Sequence, residues 1–270
     1  EGCRAESPSA TPVNASSGPM SRTLGDWSQS ACRVLGDPTQ AHGDYVFTCE
    51  HASNSVPWRD IDPGDEALLQ MHWGWDIGAA DAVEMLCRKT DSVAVLSTVS
   101  RLVIDVNRSP ESETLIVEHC ADAPVHFNQS ISPAEVKLRT QAIHSDYHAN
   151  VETVVEGFIK RKPVHLISVH SFTPVWNGVG RTMEVGVLFD KYSEDAVRVA
   201  DALRTTGLNV ELNAPYSGLS GELMYAATRH GDHFNIPYLE FEIRQDLLQS
   251  EKDIEAMAEK LTYALSVFRP

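Results

Sequence analysis

Several apolar runs in this chain end in residues that can do chemistry. Tyr45 to Cys49 runs into Glu50 and His51, Leu102 to Asp105 into Asn107 and Arg108, and His165 to Val169 into His170 and Ser171; Tyr238 to Ile243 contains Glu242 and leads into Arg244. Imidazoles, carboxylates and guanidiniums gathered at strand ends suggest either a metal site or an acid–base site. Zinc favours neutral imidazole nitrogen plus a carboxylate oxygen, and a catalytic zinc site uses three protein ligands with one position left open. His51 and His170 follow apolar runs and have small neighbours, Ala52-Ser53 and Ser171, that leave room for an ion. Neither lies in an HExxH helix, and the bland alternative is that each imidazole simply binds a backbone carbonyl.

The third ligand is open at this level. Glu50 adjoins His51 but alternates to the other face if the strand persists. Asp76, in His72-Trp73-Gly74-Trp75-Asp76, stands at the start of a helix, where an aspartate is also a natural N-cap. Arg108 is a fork that matches a carboxylate, with Asn107 as a further donor; otherwise it pairs with Asp105 or a surface glutamate. Arg244 shares a strand face with Glu242 and would bring a base and an acid into one pocket or form a structural ion pair. Glu240 and Glu242 share that face as well, and an acid inside an apolar strand is costly unless paired or functional. Beside a metal, Glu242 is placed to take a proton from water and pass it to a leaving nitrogen. Cys49 offers a rival chemistry, a thiolate nucleophile with His51 or His170 as base, but its place within the strand suits a small buried hydrophobe better.

The elements that must position these groups alternate. Strands are expected at 45–49, 92–97, 102–105, 165–169, 183–189, 209–212 and 238–243, and helices at 77–87, 133–160, 194–205, 219–228 and 250–267. Such alternation predicts one three-layer α/β/α domain over residues 26–270 around a mixed, mostly parallel sheet, whose functional residues lie past the carboxyl ends of strands. Residues 1–25, rich in Ser, Pro, Ala and Gly, are expected to be a flexible leader.

Composition narrows the classes of partner. With 270 residues, 42% of them hydrophobic, the chain can bury a sizeable core. A formal charge of −16 repels phosphate backbones and anionic lipid, which argues against nucleic-acid and membrane-surface roles. An anionic small molecule would need a local arginine cluster. Five cysteines without CxxC spacing fit neither a disulfide framework nor a zinc ribbon and point to a reducing, cytoplasmic setting. Three matches to the glycosylation sequon are read as chance.

In order, CEHASNSVP, HWGWDIGA, SRLVIDVNRSP, SVHSFTP, NAPYSG and LEFEIRQDLL resemble the motif series of the N-formylglutamate amidohydrolase family over about Asp44 to Leu248. The resemblance implies a phosphorylase/hydrolase-like fold similar to zinc carboxypeptidases and aspartoacylase-type deacylases. It also implies hydrolysis of N-formyl-L-glutamate to formate and L-glutamate, a step of histidine degradation. It makes His51 and His170 the zinc histidines, Arg101 the group that polarises the scissile carbonyl, Asn107-Arg108 the carboxylate holder and Glu242 the base. Carboxypeptidase-like enzymes carry a glutamate three residues after the first histidine, where this chain has Asn54. The resemblance therefore favours Asp76 as third ligand, with Glu50 in reserve; Arg244 is expected to help Asn107 and Arg108 hold the substrate carboxylates, and Tyr216 and His230 are lesser candidates for lining the pocket or donating a proton. Competing expectations are a zinc hydrolase of another N-acyl amino acid or small peptide, and a metal-stabilised binding protein without activity.

Overall fold

Period-two alternation in three short runs builds the centre of the sheet. In Tyr45–Cys49, His165–Phe172 and Tyr238–Arg244, residues 45, 47 and 49, 167 and 169, and 239, 241 and 243 face one apolar core. Val46, Leu166 and Tyr238 face the other core. Towards the carboxyl ends, that second face turns polar, through Thr48, then Ser168 and His170, then Glu240 and Glu242, all of them buried. Since alternate side chains share a face, the chain writes an apolar floor and a polar rim into the same strands.

The computed structural model describes residues 23–25, 27, 29–220 and 223–268. Its main sheet has seven strands: β1 (Cys32–Leu35), β2 (Tyr45–Cys49), β3 (Val93–Ser97), β4 (His165–Phe172), β5 (Val185–Leu188), β6 (Val210–Leu212) and β7 (Tyr238–Arg244). They lie in the order β1-β3-β2-β4-β7-β5-β6. Strands β3, β2, β4 and β7 run parallel; β1 is antiparallel to β3, and β5, with β6 parallel to it, is antiparallel to β7. Helices α1 (Pro63–Leu69), α2 (Ala79–Thr90), α3 (Pro133–Arg139), α4 (Asp146–Ile159), α5 (Ser193–Thr205), α6 (Tyr225–Phe234) and α7 (Glu251–Leu265) complete the layers. α2, α5 and α7 cover one face, and α1, α4 and α6 the other. The result is a three-layer α/β/α fold with a mixed, mostly parallel sheet.

Differences from the sequence expectations have physical causes. Leu102 to Asp105 is not a strand: Val103 N donates to Ser100 O at 2.9 Å and Asp105 N to Leu115 O at 2.8 Å, and the apolar side chains pack into a core without joining a ladder. The long helix expected over 133–160 is interrupted by a π turn at Thr140–Ser145. The helix expected at 219–228 spans Tyr225–Phe234 instead. Residues 1–22 of the expected leader lie outside the described residues, but its end is tied down: Leu24 is buried, and its N–H donates to both oxygens of Glu135 at 2.8 and 3.0 Å. No helix among the described residues is long and apolar enough to cross a membrane.

Candidate active site

A cavity of about 280 Å³ opens where β2, β4 and β7 end. Its lining includes His51, Asp76, His170, Arg101, Asn107, Arg108, Tyr216 and Glu242. His51 follows β2 and His170 lies within β4, while Asp76 precedes α2, whose N-cap is Gly78 rather than Asp76. The backbone fixes this arrangement, since Asp76 N donates to His51 O at 2.9 Å and Asp76 Oδ2 accepts from Ser171 N at 3.3 Å.

Three donor atoms converge. His51 Nδ1 and His170 Nδ1 stand 3.1 Å apart, and Asp76 Oδ2 lies 2.7 Å from His170 Nδ1 and 3.4 Å from His51 Nδ1. Ligands at zinc-like bond lengths of about 2.0–2.1 Å in a tetrahedron are separated by roughly 3.3 Å, so the spacing fits a cation. The opposite nitrogens point the same way. His51 Nε2 meets Asp105 Oδ1 at 2.7 Å, and His170 Nε2 meets Glu50 Oε2 at 3.1 Å and Glu240 Oε2 at 3.7 Å. A carboxylate on Nε2 holds the proton there and leaves Nδ1 as a bare lone pair, which is how metal-binding histidines are oriented. Two such lone pairs 3.1 Å apart call for positive charge beside them; Arg101 Nη1 stands 3.1 Å from His51 Nδ1, and a metal cation would meet both nitrogens. These three buried residues could hold a metal ion.

Glu50 and Asp76 therefore have different partners. Glu50 accepts from Ser168 Oγ at 2.7 Å and Tyr147 Oη at 3.1 Å, and supports His170 from behind. Burial alone would raise its carboxyl, but hydrogen bonds from His170 and Ser168 outweigh that and hold it at about 2. Glu242 is the reverse case. Its Oε2 is buried with no hydrogen-bond partner among the described residues, and burial, aided by the Asp76 and Glu240 charges, pushes its carboxyl well above the ordinary range. Glu240, buried beside His170 and Glu50, rises to about 7, mainly by desolvation. Directly across the ladder from Glu242 is Gly186, where a Cβ would meet Ala214 O at 1.9 Å. A side chain there would push away the loop that carries Tyr216.

The guanidiniums sort themselves by partner. Arg101 Nη2 donates to Asp105 Oδ2 at 2.8 Å, and Nη1 lies 3.1 Å from His51 Nδ1. Arg108 Nη1 donates to Asn107 O at 2.8 Å and Nε to Thr114 Oγ1 at 3.2 Å, and it has no ion pair among the described residues. The Asn107 amide accepts from Ala226 N at 2.9 Å and donates to Leu223 O at 3.2 Å, and its Nδ2 also lies 3.5 Å from His170 Nε2. Arg244 does not line the cavity: its Nε donates to Asp246 Oδ1 at 2.7 Å, and Nη1 to the carbonyls of Arg181, Thr182 and Met183. His230 is also outside the lining, fully buried with Nε2 2.8 Å from His148 Nδ1. Cys49 faces the opposite core, where burial raises its thiol.

Asp105, Glu50 in its supporting role, and the aromatic lining lie outside the sequence expectations. The last comes from His72, Trp73 and Trp176. Its one sequence signal is Asn177-Gly178 between Trp176 and Val179, a two-residue hairpin turn.

The fold and the site together are a mixed seven-stranded α/β/α sheet with a buried His-Asp-His cluster at its strand ends. The family model of N-formylglutamate amidohydrolase matches residues 43–249, and the chain belongs to that family. Among solved structures it is similar to gene product Atu2144 of Agrobacterium tumefaciens, at 28% identity and TM-score 0.80, covering 89% of this chain and 95% of that one. It also resembles an N-formylglutamate amidohydrolase from Ralstonia eutropha JMP134, at 17% identity and TM-score 0.68, covering 88% and 97%. A comparison with curated protein sequences gives no match. Family and fold together make the chain an amide-cleaving hydrolase of N-acyl amino acids.

Proposed function

We propose that this protein is a zinc-dependent amidohydrolase of N-acyl acidic amino acids, with N-formyl-L-glutamate plus water giving formate and L-glutamate as its family reaction. The observation that carries the reading is the convergence of His51 Nδ1, His170 Nδ1 and Asp76 Oδ2 in the same cavity as the unpartnered carboxyl of Glu242. In this reading those three residues hold the ion, which when bound supplies Lewis acidity to water and carbonyl. Glu242 takes the proton of the attacking water and returns it to the leaving nitrogen. Arg101, braced by Asp105, donates to the carbonyl oxygen as negative charge develops on it. Arg108, free of any acidic partner among the described residues, takes a substrate carboxylate. Asn107 serves by fixing the Arg108 backbone against the start of α6, and Tyr216 lines the entrance. An anionic small molecule suits a cavity lined by Arg101 and Arg108 in an otherwise acidic chain.

Metal analysis of the purified protein, followed by assay of N-formyl-L-glutamate, tests the proposal. Glu242→Gln should lower kcat by about 10²- to 10⁴-fold, the usual worth of a general base, while zinc content stays near one per chain. Zinc-loaded wild-type protein that leaves N-formyl-L-glutamate and its N-acetyl, N-succinyl and N-phenylacetyl analogues intact would sink the reading. Wild-type activity in Glu242→Gln would remove Glu242 from its role.

A further inference from the structure

The cavity has two chemically different walls. One comes from residues 101–120 and carries Arg101, Arg108 and Thr114; the other comes from residues 72–76 and 170–176 and carries His72, Trp73, Phe172 and Trp176. The candidate ion site sits at their seam. Asp76 and His170 belong to the aromatic wall, and His51 is bonded through Asp105 to the arginine wall.

The aromatic wall is preformed. His72 and Trp73 ring centroids lie 4.3 Å apart, and Trp73 and Trp176 5.6 Å apart with planes at 57°. Trp176 belongs to a hairpin, Val175–Trp176 paired with Val179–Gly180. Asn177 (φ 49°) and Gly178 (φ 77°) are both left-handed, as a type I′ turn demands. Arg181 N closes the hairpin on Pro174 O at 2.8 Å, and the Arg181 guanidinium lies 5.3 and 5.4 Å from the Phe172 and Trp176 ring centres. The Trp176 ring is held in place but still 39% exposed. An aromatic side chain fixed at a cavity, with Arg181 over its ring and part of its surface still exposed, is one that another ring can pack against.

We infer that the site takes acyl groups bearing an aromatic ring, packed against Trp73 and Trp176, in preference to the formyl group. The inference rests on the amidohydrolase reading above. A substrate with its carboxylate on Arg108 and its scissile carbonyl at the seam must direct its acyl group to the opposite wall. A formyl group has no carbon beyond the carbonyl and leaves both indoles bare, whereas a benzyl or phenyl substituent covers them.

The test compares N-formyl-, N-acetyl- and N-phenylacetyl-L-glutamate and N-formyl-L-phenylalanine on zinc-loaded protein. N-phenylacetyl-L-glutamate should exceed N-formyl-L-glutamate in kcat/KM by tenfold or more. Trp176→Ala should cut that ratio at least fivefold, and Trp176→Phe should keep most of it. Equal loss on both substrates in Trp176→Ala would mean that the tryptophan merely supports the fold, and preference for N-formyl-L-glutamate or N-formyl-L-phenylalanine would overturn the assignment. Calorimetry on Glu242→Gln protein separates the two readings. If the wild-type protein cleaves no substrate, yet N-phenylacetyl-L-glutamate binds the Glu242→Gln protein and Trp176→Ala added to it abolishes binding, the hydrolase reading fails and the aromatic wall stands. If N-formyl-L-glutamate is cleaved and the aromatic analogue does not bind, the hydrolase reading stands and the aromatic wall fails. Absence of both cleavage and binding ends both.

Discussion

Asp105 receives His51 Nε2 at 2.7 Å on one oxygen and Arg101 Nη2 at 2.8 Å on the other, so one carboxylate sets the tautomer of a candidate ligand and the aim of a guanidinium. Asp105→Asn keeps the shape but can donate where it should accept, which turns the imidazole proton towards Nδ1. Zinc affinity should fall about 10- to 100-fold, the usual worth of such a supporting group, read by competition with a chromogenic chelator. Which atoms meet is only partly legible in the sequence. Histidines, acids and arginines at the ends of apolar runs point to a polar rim, because period two fixes the face. Nothing in the residue order says that Arg244 is taken by Asp246 and three carbonyls, that His230 is buried against His148, or that Asp105 serves Arg101 rather than Arg108. Those pairings follow from side-chain direction across elements distant in the chain.

At the scale of elements, α3 anchors the loop that supplies the arginine wall. Arg139 is fully buried, with Nε on Glu135 Oε1 at 2.8 Å, Nη1 on Val103 O at 3.1 Å and Asn128 Oδ1 at 2.6 Å, and Nη2 on Phe127 O at 3.1 Å. Asn128 in turn donates to Leu102 O and Val117 O, each at 2.7 Å. A buried guanidinium deprived of its carboxylate is strongly unfavourable, so Glu135→Ala should cost about 3–5 kcal/mol in urea unfolding. The strand expected at 102–105 is absent for a related reason. A short apolar run has the same signature whether it enters a ladder or is pinned as a buried loop by polar groups from elsewhere. β1 and α1 escape the sequence reading because each is short, β1 only four residues on the sheet edge and α1 seven. The long central strands and α5 and α7 are plain in it, having full periods and, for α7, a Ser250 cap on Asp253 N at 3.2 Å.

At the scale of the whole molecule, buried neutral histidines set the acid limit. Burial lowers His165 and His230 to about 4, and holds His148 well below its ordinary value with help from the neighbouring His230 and His144. The unfolded chain takes up these protons near pH 6.5 and the folded one does not, so stability is complete above 6.5 and is lost as pH falls towards 4. Each such histidine should contribute a slope approaching about 1.4 kcal/mol per pH unit in that window. The raised carboxyls of Glu240 and Glu242 act in the opposite direction, being favoured in the folded state at low pH. His165, stacked on Phe268 at 4.0 Å with Nδ1 unpartnered among the described residues, isolates one share. His165→Phe should flatten the slope of unfolding free energy between about pH 6.5 and 5 by about 1 kcal/mol per unit; an unchanged slope would show that this imidazole is protonated in the fold.

The hairpin that carries Trp176 forms a two-stranded sheet of its own, hydrogen-bonded strand to strand and closed at its base by Arg181 N on Pro174 O. It enters and leaves the molecule through one pair of neighbouring residues, as an exchangeable cassette does. Residues 175–180 can therefore be traded for loops of other composition without disturbing a rung of the main ladder. The fold thus separates the durable part of the molecule from a short segment through which selection, natural or in the laboratory, can retune what the cavity accepts.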